Sequence, residues 1–185
     1  MKRIIIIFII ILILIPSVAA QNVTIKGVNF EIPHQYEHGT TKDSSYMYEN
    51  GLTFRILALD DSQNLRINYG SDINECNSAE QTTIAGHDVI VTYDDFENKA
   101  YTTVYFAAGD TFFLICFNDT YVNDDISGLI ANAPEQNMSH DEFVNTLNEV
   151  NNDYQNQLAQ EKAELDAEEY QRANKPENRY YFFWF

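Results

Sequence analysis

The chain has 185 residues, with 28 acids against 11 bases for a net charge of −17, and 45% of it is hydrophobic. So acidic a surface repels phosphate backbones and anionic headgroups, which excludes nucleic acid as a partner and electrostatic docking on a membrane. The length suits one domain of ordinary size plus an extension.

Residues 1–20 read as an export signal. Met1-Lys2-Arg3 is basic, Ile4 to Ile15 is an unbroken apolar run, and Pro16 precedes the small-residue stretch Ser17-Val18-Ala19-Ala20. This pattern predicts insertion and cleavage near Ala20–Gln21. The alternative is retention, with residues 4–20 as a short N-terminal anchor at the lower length limit for a spanning helix. Both place the body outside the cytoplasm, extracellular or at the cell surface. Loss of residues 1–20 would remove Lys2 and Arg3 and no acid, so subtracting two positive charges from −17 leaves −19.

From Val28 the period is two, with Val28, Phe30 and Ile32 on one face of a strand that Pro33 ends. Asn50-Gly51 joins Tyr46–Tyr48 to Leu52–Ile56 as a hairpin. Turn residues Asp60–Asn64 lead into Leu65–Tyr69, whose alternation predicts another strand. A polar stretch from Gly70 to Glu80 follows, then strands at Val89–Tyr93, Tyr101–Phe106 and Phe112–Phe117, with turns at Asp94–Lys99 and Ala108–Asp110. The last strand is apolar on both faces and is expected at the centre of the sheet. A helix from Asp124, with Ile126, Leu129 and Ile130 on one side, is its expected cover.

Short turns between successive strands predict antiparallel neighbours and an α+β domain over residues 21–134. The order of strand, Pro33 and Tyr36, antiparallel meander with the Gly109-Asp110 hairpin, and closing helix resembles the PsbP-like α/β/α sandwich of exported or lumenal accessory proteins. The resemblance covers residues 23–134. It implies an accessory or binding module and transfers no functional residue.

Beyond Pro134, Ser139 and Glu142 form a capping box, and Phe143, Leu147, Val150, Tyr154 and Leu158 recur at helical spacing. A long acidic helix is predicted over 139–174, stopped by Lys175-Pro176. Glu161 and Glu164 break the heptad, so the first half is expected to dock and the second to stand in water. Residues 175–185 form a tail ending in Tyr180, Tyr181, Phe182, Phe183, Trp184 and Phe185. Aromatics at this density predict docking, on the chain's own domain, on another envelope protein or second copy, or at a membrane interface.

His34-Gln35-Tyr36-Glu37-His38 spells H-x-x-E-H, in which His34 and His38 would hold zinc and Glu37 would take a proton from bound water. The motif requires a helix, and here Pro33 and Gly39 bracket only five residues. A surface loop is the expected reading, with a zinc hydrolase as an alternative. His87 and His140 are isolated and carry no assigned role. The pairs Asp60-Asp61, Asp94-Asp95 and Asp124-Asp125 lack the spacing of a calcium loop and read as turn and cap residues. Scattered glycines exclude nucleotide-cradling loops, and no catalytic residue, metal or cofactor is called for.

Cys76 and Cys116 are an even pair compatible with one disulfide in an exported chain, with two free thiols as the alternative. Sequons at Asn22, Asn118 and Asn137 fall at segment ends that would accept a glycan. The expected function is therefore an exported, non-enzymatic surface module for binding or interaction, the alternative being a carrier of a small apolar ligand. Cell fractionation with N-terminal sequencing of the native protein should find it outside the cytosol and starting at Gln21; a soluble cytosolic chain starting at Met1 would refute export.

Overall fold

The computed structural model describes residues 21–173, so the leader and the aromatic tail lie outside the described residues. The alternating segment at Val28 is one half of a hairpin: β1 (Gln21–Ile25) pairs antiparallel with β2 (Val28–Ile32). Lys26 and Gly27, at φ 49° and 81°, make the turn, a left-handed conformation that glycine adopts freely. Val23, Ile25, Val28, Phe30 and Ile32 are buried, while Thr24, Asn29 and Glu31 face water.

The remaining strands form one antiparallel sheet in the order β3-β4-β5-β9-β8-β7-β6. They are β3 (Thr40–Lys42), β4 (Ser45–Tyr48), β5 (Phe54–Leu59), β6 (Ser78–Ile84), β7 (His87–Phe96), β8 (Lys99–Ala108) and β9 (Thr111–Phe117). The class is α+β, and β9 lies at the centre with Phe112–Phe117 buried along both faces. Asn50-Gly51 turns β4 into β5, with both residues at positive φ.

Two layers cover the sheet. One face, carrying Phe54, Ile56, Phe106, Phe113, Ile115 and Phe117, receives the β1–β2 hairpin and the helix at Asp124–Ala131, whose Ile126, Leu129 and Ile130 are buried. Phe113 packs edge-on against Phe30 with ring centroids 5.2 Å apart. The other face receives α1 (Ser62–Leu65), a π-helical turn (Arg66–Gly70), α2 (Ser71–Glu75) and the start of the long helix. Numbered in chain order, the Asp124 helix is α3 and the long one, His140–Ala173, is α4.

The strand expected at Leu65–Tyr69 is therefore helical. Asp61 accepts a hydrogen bond from the Asn64 N–H at 2.7 Å and caps the helix. Leu65, Tyr69 and Ile73 lie on one helical stripe against the sheet, whereas Ile67, which alternation would point inward with Leu65, is 50% exposed. The polar stretch after it is not all loop either: Ser78–Ile84 forms edge strand β6, exposed along Ser78–Thr83 and so without an apolar alternation to announce it.

The capping box forms as expected, the Ser139 N–H donating to Glu142 Oε2 at 2.8 Å and the Glu142 N–H donating to Ser139 Oγ at 3.3 Å. Phe143 and Leu147 are buried, and Phe143 stacks on Phe112 at 5.6 Å. From Gln155 to Ala173 every residue is exposed. With 34 residues, α4 is about 51 Å long at 1.5 Å per residue, and only its first half is docked. No helix of the described residues is long and apolar enough to cross a membrane.

The docking depends on Gly70, where a Cβ would fall 2.6 Å from Cβ and Cγ of Tyr154. Gly70→Ala should push α4 off the π-helical turn, costing about 1–3 kcal/mol. Urea unfolding should show the lower midpoint, and hydrogen exchange should quicken over 143–154 while staying unchanged in β9.

Candidate functional site

On the helix-covered face of the sheet, the inward residues change character along the strands. Leu57, Leu114, Tyr105 and Ile90 lie in one cross-strand row. The next row is Arg55, Cys116, Thr103 and Thr92, and beyond it Tyr101 pairs with Asp94. The helices cover the apolar rows and stop short of the polar ones. A cleft of about 250 Å³ remains there, lined by Leu52, Arg55, Asp72, Asp94, Tyr101 and Cys116 among others, and a neighbouring one of about 300 Å³ shares Arg55, Asp72, Asp94 and Thr103.

Asp72 enters this space from α2 and is held by two hydroxyls. Thr92 Oγ1 donates to Asp72 Oδ2 at 2.5 Å, and the Tyr105 hydroxyl lies 2.9 Å from the same oxygen and 3.1 Å from the Asn68 carbonyl in the π-helical turn. Burial raises the Asp72 pKa, partly offset by the Thr92 and Tyr105 hydrogen bonds. Burial and the Asp72 charge push Tyr105 well above its ordinary 10.0, so it stays protonated and available as a donor. Cys116 is raised by burial against the pull of Arg55, which leaves it a poor nucleophile at neutral pH. Arg55 is exposed and, among the described residues, closes no ion pair; it acts on Asp72 through its field.

Elsewhere the structure brings other groups together. The H-x-x-E-H segment makes a single 3-10 turn, His34–Tyr36. The His34 imidazole, 80% exposed, sits 2.9 Å from Glu37, and His38 lies beyond the turn at φ 68° with its N–H donating to the Gln21 side chain. The helical face that would present both imidazoles to zinc is not formed. The segment instead positions Tyr36, which stacks on Phe54 at 4.3 Å and whose carbonyl accepts from the fully buried Tyr46 hydroxyl at 2.5 Å. Among the described residues no three His, Cys, Asp or Glu side chains are grouped to hold a metal.

The disulfide allowed by the even cysteine count is not formed: Cys76 and Cys116 are both free thiols. Cys76 ends α2 with its thiol donating to the Ile73 carbonyl at 3.7 Å, while Cys116 is buried in the sheet row beside Arg55 and Thr103. Asn22, Asn118 and Asn137 are all exposed. Asp61 caps α1, Asp124 and Asp125 occupy the first turn of α3, and Asp60 pairs with Lys26 at 2.9 Å. Asp94 and Asp95, expected in a turn, belong to β7, because the turn is confined to Glu97 and Asn98 at positive φ. Buried His87 lies 2.9 Å from the Ala107 carbonyl, a packing role.

Sequence reasoning missed Arg55, Asp72, Thr92 and Thr103, and read Asp94 only as a turn residue. The available signal was polar residues at inward positions of otherwise apolar strands: Arg55 between Phe54 and Ile56, and Thr103 between Thr102 and Val104. Only the register gathers them.

No family model and no curated protein matches the sequence. A crystal structure of a protein from Bacteroides thetaiotaomicron is similar at a TM-score of 0.38 and 15% identity, over 62% of this chain and 46% of that one. The chain thus spans less than half the length of that protein, and a likeness of this size transfers no role.

His140, at the start of α4, bonds Asp88 of β7 at 2.8 Å, and Gln136 donates to the other Asp88 oxygen at 2.7 Å. The hydrogen bond with Asp88 raises His140 above 6.5; burial pushes Asp88 up, but its bonds to His140 and Gln136 outweigh that and hold it below 3.8. The Asp88 contribution is therefore present above 3.8 and lost as pH falls through its depressed pKa, and the His140 contribution is present below 6.5 and lost as pH rises through its elevated one. Raising the pH from about 6 to about 9 should lower the melting temperature of the wild type more than that of His140→Gln.

Proposed function

We propose that this chain is an exported, non-enzymatic module of the cell envelope or surface, whose sheet domain anchors a helix that engages another envelope protein. The observation that carries the reading is α4, held by Phe143 and Leu147 at one end and exposed from Gln155 to Ala173. Nucleating a helix is costly and extending it is not, so the docked turns serve as the nucleus from which the exposed ones propagate. Leu158 and Leu165, 41% and 66% exposed and two turns apart, put an apolar strip among Glu161, Glu164, Asp166 and Glu168. That strip suits a partner with an apolar groove and a basic rim.

The leader motif supports the outward address, and the aromatic tail follows α4 in the sequence. The apolar-carrier reading is less well supported, because the rings that would line such a cavity pack on one another: Phe106 on Phe113 at 5.9 Å and Phe112 on Phe143 at 5.6 Å.

Ending the chain after Gln155 should change unfolding free energy by less than about 1 kcal/mol, since the lost turns touch little. The same truncation should abolish retention of the protein at the cell surface and its capture of the envelope partner. A truncated protein that is still retained would refute the reading.

A further inference from the structure

The polar cleft beside α2 holds charges of both signs that act on one another through the field without closing a direct ion pair among the described residues. Arg55 closes no ion pair among the described residues although Asp72 and Asp94 line the same cleft. Both hydroxyl donors on Asp72 meet Oδ2, leaving Oδ1 without a hydrogen bond among the described residues and in contact with solvent. Asp94 uses one oxygen on the Asp95 N–H at 2.7 Å and keeps the other.

Holding the Asp72 carboxylate part-way out of water costs free energy that a matched ligand returns. A simple anion would meet Asp72 and Asp94, and a simple cation would meet Arg55. An uncharged sugar could hydrogen-bond to all three but would neutralise none of their charges. A molecule carrying both charges a few ångströms apart satisfies them together. About 250 Å³ is small for a ligand cleft and suits a single residue-sized molecule. Leu52, 65% exposed, and the ring of Tyr101 border it as apolar surface for a side chain.

We infer that this cleft is a binding site for a small zwitterion, a free α-amino acid, with the ligand carboxylate on Arg55 and its ammonium on Asp72 and Asp94. The inference is independent of the envelope-module reading, since it concerns the sheet domain and not the exposed half of α4. Asp72 positions the ammonium because Thr92 and Tyr105 fix its orientation from behind.

Isothermal titration calorimetry of the purified chain against each standard L-amino acid, up to about 10 mM, tests it. At least one should bind, and its analogues lacking the amino or the carboxyl group should each bind at least about tenfold more weakly. Arg55→Gln, at an exposed position, should weaken binding by about tenfold or more with an unchanged melting curve. Asp72→Asn should weaken it too, and because Asp72 also braces Tyr105, the Arg55 variant decides if that protein melts early. Any one of four results would overturn the site: no amino acid binding, equal binding of a single-charge analogue, unaltered affinity in Arg55→Gln, or binding of glucose in place of every amino acid.

Discussion

Six consecutive residues of β9, Phe112–Phe117, are nearly withdrawn from water, which requires a layer on each side of one strand and fixes where both layers sit. Phe113, Ile115 and Phe117 meet the hairpin and α3; Phe112, Leu114 and Cys116 meet the helical side. A slip of one residue would exchange these two sets, moving three buried side chains from each packed face to the other. The register with β5 and β8 is thereby held to a single alignment, and with it the row that places Arg55, Cys116 and Thr103 side by side. The same constraint that builds the core gathers the polar groups of the cleft.

The two faces of the sheet do different work. The hairpin face is apolar along the length of the central strands, from Ala58 and Phe113 to Phe54 and Phe117. The helical face is apolar only where α1, α2 and α4 reach, and turns polar where they end. Asp72 is the join: it stands on a covering helix yet hydrogen-bonds two strands through Thr92 and Tyr105. The π-helical turn just before it widens the helix, and its Asn68 carbonyl lies 3.1 Å from the same Tyr105 hydroxyl. Such turns are frequent at functional sites.

Much of the fold was legible because it is written in local patterns. The Asn50-Gly51 hairpin, the doubly apolar strand at Phe112–Phe117, the Ser139–Glu142 box and the break in docking after Tyr154 each follow from residues close in sequence. The segment Leu65–Tyr69 misleads because its apolar residues satisfy two periods at once, and the Asp61 cap with Ile73 further along decides for the helix. The cleft was not legible, since its members come from β5, α2, β7, β8 and β9, and no spacing along the chain encodes their meeting. The H-x-x-E-H segment shows the converse: its letters suggest chemistry, while Pro33 and the Tyr36–Tyr46 contact make it a structural corner.

At the far end of the sheet, β6 is an edge strand among the described residues and leaves one row of backbone groups unpaired there along Ser78–Ile84, with Glu80 its sole charge and neither proline nor lysine to blunt it. Local shielding is slight, so the force opposing two such borders is bulk repulsion from a net charge of −17. That repulsion reaches roughly 8 Å at physiological ionic strength and shortens in brine. Resistance to pairing along this border is thus a colloidal property, set by the surrounding ions rather than by the contours of the strand.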